Sequence, residues 1–360
     1  MDSKTAPVRV GVIGAGFVAQ LAHLDCLLRA EGCELVGLAE LRPELRRQVA
    51  EKYRLPIKLE THHELLARND IDAVVVVTRR NATGPIVLDA LKAGKHVLSE
   101  KPMAHSAAQA EALVQAAQDV GAVYRIGFMK RHDFYVLTAR DWLEKKTRTG
   151  KHPIKLVRGY SHAGNDGRHT EGLLMTDEPR PNGIELWRAG PDWLSEDFLS
   201  EYDFFLNIHN HIVNLAHFLT GRSMTVRHFD YFADAVSTAA VDFGGIPGSF
   251  EFAARRLDRW HEGIEVYFDD GHLSLRLPAP FAAPSTAALS WTDSTGVTHA
   301  VDPARPPVWQ FEAQAQSFVD AARDNKPDVQ SAEDGVRDLI AIESMWRQIE
   351  PKRSGAISHA

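Results

Sequence analysis

Apolar runs and amphipathic stretches alternate through the first third of the chain. Residues 8–13 form a short apolar strand pattern, and similar β-like runs recur at 34–40, at 72–78 around Ala73-Val74-Val75-Val76-Val77, and at 95–99. Strands buried on both faces carry continuous apolar runs of this kind rather than strict alternation. Helical periodicity fills the gaps at 43–53, 83–93 and 106–120, the last opening on Ser106, whose hydroxyl can cap it. A further strand at 123–128 closes the series, and beyond Lys130 the pattern changes. The order βαβα predicts a parallel, doubly wound sheet of the Rossmann type.

From Lys155 the extended candidates are separated and more alternating: 156–161, 224–232, 239–243, 248–253, 264–268 and 271–277. They predict a large, mainly antiparallel sheet. Helical patterns accompany it at 207–219, 309–324 and 332–349, so this part reads as an α+β domain. The expected division is residues 1–128 and 129–360. Residues 163–200 are rich in Gly, Pro, Asp and Asn without periodicity, and a long irregular insert in a compact domain is usually functional.

Composition changes this picture little. With 360 residues, 44% of them hydrophobic, the chain can bury cores for two domains. A formal charge of −7 argues against an electrostatic nucleic-acid binder. Its two cysteines, Cys26 and Cys33, build neither a disulfide framework nor a CxxC metal site. The start, Met1 to Pro7, lacks an export core, and no run approaches the roughly 18 apolar residues of a spanning helix. A cytoplasmic protein without membrane partners is expected.

The chemistry begins at the first strand's end, in Gly14-Ala15-Gly16-Phe17-Val18-Ala19. Gly14 permits the tight strand-to-helix turn, Gly16 a close backbone approach to a pyrophosphate, and small Ala19 close helix packing; the helix N-terminus at Phe17 and Val18 receives the anion. Glu40, one βαβ length on, is placed to accept from the adenosine ribose. Its charge favours NAD, whereas Arg42 two residues later could cradle the 2′-phosphate of NADP.

Several further motifs resemble the Gfo/Idh/MocA family of nicotinamide-dependent sugar and inositol oxidoreductases. They are Gly94-Lys95-His96-Val97-Leu98-Ser99-Glu100-Lys101-Pro102, Gly127-Phe128-Met129-Lys130-Arg131, Trp187-Arg188, and His211 ten residues before Gly221. The resemblance implies that Glu100 and Lys101 stand beside the nicotinamide, with Thr78 at the fourth strand's end also on the cofactor. An ammonium next to a sugar hydroxyl stabilises a developing alkoxide, which makes Lys101 the leading catalytic residue; read alone it is a surface lysine.

His211 is the candidate general base, since imidazole titrates near neutrality. Asn207, Asn210, His211 and Asn214 form a polar stripe on the predicted helix, which is either functional or merely solvated. Here the chain departs from the family, whose pattern carries Asp where this sequence has Asn207 and Asn214. Asparagine orients a hydroxyl but cannot take its proton, so the transfer falls to His211 and Lys101, with Asp203 or Glu201 as alternative carboxylates.

A second departure is Thr78-Arg79-Arg80-Asn81, where the family often reads Thr-Pro-Asn. Arg79, with Lys130 and Arg131, is either solvated or recognises an anionic group on the sugar. Tyr160, His162 and Trp187 supply hydrogen bonds and a stacking face, or simply pack. Among the histidines His162, His169, His209 and His211, spacing argues against a metal.

The leading expectation is an NAD-dependent oxidoreductase acting on a secondary hydroxyl of a sugar, sugar acid or cyclitol. The alternative is an NAD-dependent glycoside hydrolase working by transient oxidation, elimination, water addition and re-reduction; a non-catalytic NAD-binding sensor is weaker. The resemblance also implies a homodimer or homotetramer.

Overall fold

A computed structural model describes residues 6–179, 182–232, 235–254, 257–302 and 308–349; the extreme ends of the two expected domains, including most of the Met1 to Pro7 stretch read as lacking an export core, lie outside the described residues. The chain divides into two compact units. One runs through Phe128 and adds His169–Ala189 and Phe311–Val336, and the other comprises Met129–Arg168, Gly190–Gln310 and the chain from Arg337. The single cut after residue 128 thus misses two later segments that join the first unit. Local bonding explains the second: Arg125 donates to Asp328 at 2.9 Å and to the Ser317 carbonyl at 2.8 Å, and Tyr124 N donates to the Asp328 carbonyl at 2.8 Å.

The first unit is a six-stranded parallel sheet. Its strands are β1 (Val8–Ile13), β2 (Cys33–Ala39), β3 (Ile57–Leu59), β4 (Ala73–Val76), β5 (His96–Ser99) and β6 (Tyr124–Ile126), in the order β3-β2-β1-β4-β5-β6. The connecting helices are α1 (Leu24–Arg29), α2 (Pro43–Lys52), α3 (His62–Leu66), α4 (Arg80–Lys92) and α5 (Ala107–Val120). Residues Ala73 to Val76 are all buried, as a central parallel strand requires. Ser106 caps α5 as its sequence suggests, accepting from Gln109 N at 3.2 Å. The short β3 and α3 were not expected, because in β3 three residues, two half-buried around an exposed Lys58, carry too little pattern to read.

The second unit holds α6 (Phe134–Thr147), β7 (Leu156–His162), α7 (Leu199–Thr220), β8 (Thr225–Tyr231), β9 (Ser237–Asp242), β10 (Pro247–Ala253), β11 (His261–Tyr267), β12 (Gly271–Leu277), β13 (Ala288–Asp293) and β14 (Thr298–Ala300). Two further helices follow, α8 (Gln310–Asp324) and α9 (Gln330–Trp346), and the boundary between the units falls within α9. The eight strands form one sheet, β14-β13-β12-β11-β7-β10-β9-β8, antiparallel except for β7 beside β10. Strand alternation sends Val157, Gly159 and Ser161 of β7 to the helix-covered side, where Ser161 meets His209 of α7, and Arg158, Tyr160 and His162 to the other. The core on the covered side is aromatic: Phe205, Phe229, Phe252 and Trp346 meet with ring centroids 5.0–6.4 Å apart. Sequence periodicity overlooked α6, whose buried stripe is only Tyr135, Val136, Ala139 and Leu143.

Candidate active site

Strand register builds one end of the first sheet. Ile13 of β1 lies opposite Val76 of β4, and Val76 opposite Ser99 of β5, so Gly14, Val77 and Glu100 leave the carboxyl edge side by side. The strand order reverses between β1 and β4, which is where open α/β sheets bind ligands. Gly14 has φ +96°, and a Cβ there would stand 2.2 Å from the Val77 carbonyl oxygen, so no other residue fits the turn. A Cβ on Gly16 would meet nothing closer than the Arg42 guanidinium at 3.9 Å, which leaves open space against the loop. The following helix opens at Phe17 and Val18, passes through a π-turn at Ala19–His23 and presents its N-terminal end to the loop. Ala19 is fully buried. These residues fit a dinucleotide, whose nicotinamide supplies a hydride acceptor when bound.

Glu40 and Arg42 are coupled. The Glu40 carboxylate accepts from Ala15 N at 2.9 Å and from Arg42 Nε at 2.9 Å and Nη2 at 3.1 Å, while Arg46 donates to the Glu40 carbonyl at 2.7 Å. Burial alone would raise the Glu40 carboxyl, but the Arg42 guanidinium and the Ala15 and Arg42 amides outweigh it and hold it below the usual carboxylate range. The same pairing raises the Arg42 guanidinium.

At the end of β5 the Glu100 carboxylate is pinned from two sides, by His23 Nε2 at 2.7 Å and by the Lys101 amide at 3.1 Å. A Cβ on Gly127 would come within 3.3 Å of Glu100, so that glycine leaves room for it. Lys101 is half-buried. Thr78 shares a 3.2 Å hydroxyl contact with Thr83, and Arg79 stands at the N-cap of α4, where its carbonyl accepts from Ala82 N and Thr83 N. Trp187 does what its packing alternative requires. Its amide donates to the Asn81 carbonyl at 2.8 Å, and its ring lies on Gly84, where a Cβ would be 2.3 Å away.

In the second unit Asn207, His211 and Asn214 recur on one side of α7, and His209 lies on the side toward the sheet. His211 is buried. Asn214 is held at both ends of its amide: Oδ1 accepts from Arg131 Nε at 2.6 Å, and Nδ2 donates to Asp338 at 2.5 Å. Asp338, fully buried on α9, also takes a 2.7 Å bond from His217 Nδ1, and because His217 Nε2 accepts from Met224 N at 3.1 Å, the proton of a neutral ring sits on Nδ1. An acid that the sequence reading did not name, Asp338, therefore stands beside the family's second Asp position at Asn214.

Lys130 does not serve an anion. It is buried in an ion pair with Glu262, whose carboxylate also accepts from Trp260 Nε1 at 2.8 Å. Burial pulls its ammonium down, opposed by Glu262. Arg131 lies against the Phe218 ring, 4.7 Å from its centroid. Tyr160 and His162 do not share a side with His211: the β7 alternation turns them to the other sheet face, where Tyr160 packs on His261 at 4.6 Å and His162 lies 3.9 Å from Glu251. His209, sandwiched by Phe205 and Phe252, is a packing histidine whose ring burial pushes down to about 3.

Sequence reading missed His23, Gln20 and Asp338. Each is a buried polar side chain among apolar neighbours: His23 and Gln20 in the helix after the glycine turn, and Asp338 in line with Ile342 and Met345 on α9. A lone acid or imidazole on an apolar stripe is the signal, but nothing local names its partner.

Residues 8–128 match the model of the Gfo/Idh/MocA oxidoreductases, described as an oxidoreductase family with an NAD-binding Rossmann fold. The chain is 36% identical over 143 residues to the inositol 2-dehydrogenase/D-chiro-inositol 3-dehydrogenase of Shouchella clausii, covering 39% of this chain and 41% of that protein. It therefore spans about two-fifths of that curated relative. Against the myo-inositol 2-dehydrogenase of Thermotoga maritima the identity is 21% over 369 residues, covering 96% of this chain and 98% of the other. The fold is that of the 3-ketoreductase KijD10 of Actinomadura kijaniata, solved with NADP and TDP-benzene, with a TM-score of 0.73 at 21% identity over 95% of this chain and 97% of that one. Residues 8–128 thus carry the NAD-binding Rossmann domain of the Gfo/Idh/MocA oxidoreductases, and the chain as a whole is similar to the inositol dehydrogenase of Thermotoga maritima in sequence and to KijD10 in fold. Among the described residues, no helix is long and apolar enough to cross a membrane.

Proposed function

We propose that this protein is an NAD-dependent dehydrogenase that oxidises a secondary hydroxyl of a cyclitol or sugar. The observation that carries the reading is the carboxyl edge of β1, β4 and β5, where the glycine turn, Thr78 and a pinned Glu100 followed by Lys101 emerge in register. Sequence similarity to inositol 2-dehydrogenases supports the substrate class. Glu40 supports NAD, because a carboxylate at the end of the second strand suits a ribose 2′-hydroxyl.

In this reading the substrate loses a hydride from its carbinol carbon and a proton from its hydroxyl, becoming a ketone. Lys101 stabilises the developing alkoxide, His211 takes the proton, and Asn207 orients the hydroxyl. Glu100, fixed by His23, holds the start of the Lys101 segment and so acts as a positioning residue.

Purified protein, NAD and a panel of neutral and anionic cyclitols, sugars and aryl glycosides test this, with NADH absorbance and aglycone release read together. NADH accumulating in step with oxidised substrate is the expected result. Aglycone release that needs NAD but leaves no net NADH overturns it in favour of redox-assisted glycoside cleavage.

A further inference from the structure

The irregular segment His169–Ala189 belongs to the first unit and is fastened to three parts of the dinucleotide region. Gln20, buried in the π-turn, donates to the Leu174 carbonyl at 2.9 Å and accepts from Leu174 N at 2.9 Å, while the same amide nitrogen reaches the Ala15 carbonyl of the glycine turn at 2.9 Å. Lys52, at the end of α2, donates to the Gly172 carbonyl at 2.8 Å. At the other end of α2, the Glu178 carboxylate accepts from Glu44 N at 2.9 Å, Leu45 N at 3.0 Å and the Thr176 hydroxyl at 2.8 Å.

A carboxylate thus sits on the first-turn amides of a ten-residue helix that begins three residues after Glu40. Glu40 marks where an adenosine ribose 2′-hydroxyl is received. A 2′-phosphate in that place needs donors, and those the chain offers nearby are Arg42, Arg46 and the α2 amides. The amides are taken by Glu178, and Arg42 is paired to Glu40. A phosphate dianion arriving there meets two carboxylates, whereas an uncharged hydroxyl meets none of that repulsion.

We infer that Glu178 is a specificity-determining residue for the dinucleotide: its carboxylate fills the anion seat of α2 and excludes an adenosine 2′-phosphate while leaving the 2′-hydroxyl to Glu40. The inference rests on the NAD reading above. Some desolvation opposes the charge, but the two amides and Thr176 outweigh it and keep the Glu178 carboxyl below the usual range.

The test is calorimetric binding of adenosine 5′-monophosphate and adenosine 2′,5′-bisphosphate to the full chain and to E178Q and E178D. Neither probe carries nicotinamide, so turnover does not enter. E178Q keeps an acceptor oxygen for α2 but loses the charge; it is expected to bind the bisphosphate about tenfold tighter and the monophosphate within about twofold of the parent. E178D keeps the charge and is expected to keep the parent's ratio. An unchanged ratio in E178Q, or an E178D that follows E178Q, overturns the role of the Glu178 charge. A parent chain that prefers the bisphosphate overturns the NAD reading itself, and the change produced by E178Q is scored separately.

Discussion

The two units hold their chemistry in opposite ways. In the first, the backbone does most of the work: register aligns three strand ends, and a glycine at φ +96° turns the chain against the Val77 carbonyl. In the second, side chains hold side chains, as in the run from Arg131 through Asn214 and Asp338 to His217, and in the buried Lys130–Glu262 pair. A site built on strand ends is specified by short local motifs, whereas a site built on buried polar contacts depends on partners more than 80 residues away. In the first, strand register fixes where Gly14, Val77 and Glu100 leave the sheet; in the second, removal of one member leaves a buried polar partner unpaired.

The largest test of that contrast is E262Q. It leaves the Lys130 ammonium buried without its counter-charge and is expected to cost about 3–5 kcal/mol in urea unfolding, while the double replacement K130M/E262L recovers much of the loss. Equal losses in the single and double variants would make volume, not charge, the reason. K101M should act the other way, lowering kcat by roughly a hundred- to thousandfold with the NAD dissociation constant within about threefold and an unchanged melting temperature. A K101M protein that has also lost NAD binding would place Lys101 in binding rather than in chemistry.

A smaller effect belongs to His209. Its ring titrates near 6.5 unfolded but is pushed down to about 3 in the fold by burial, aided by His162 and Lys130. Below pH 6.5 the unfolded chain therefore binds a proton that the folded chain refuses, and stability falls by about 1.4 kcal/mol per pH unit on the way toward 3. H209Q, which keeps an acceptor for Ser161, should remove that slope between pH 6 and 5; urea midpoints at each pH check it. The smallest effect is expected from Y160F. On the sheet face turned away from α7, loss of its hydroxyl should leave KM for the substrate within about twofold, against several-fold for a phenol that bonds substrate.

Much of this was legible beforehand where structure is local. The apolar runs at 72–78 and 95–99 yielded β4 and β5, Ser106 yielded a cap, and Gly14-Ala15-Gly16 yielded the tight strand-to-helix turn, whose Ala15 amide Glu40 accepts from. His211 with Asn207 and Asn214 could be assigned to one side of a helix from spacing alone. Tyr160 and His162 could not be assigned a side, because period-two alternation says that they share a face but not which face the helices cover.

By itself, the sequence determined the strand ends and their glycine and acidic residues, because hydrophobic periodicity and backbone sterics act within a few residues. Tertiary structure decided that Asp338 stands beside Asn214, that Lys130 pairs with Glu262, and that Gly172, Leu174 and Glu178 bond to the first unit's helices. Such pairings join residues far apart in the chain, and only burial, which makes an unpartnered polar group costly, selects them.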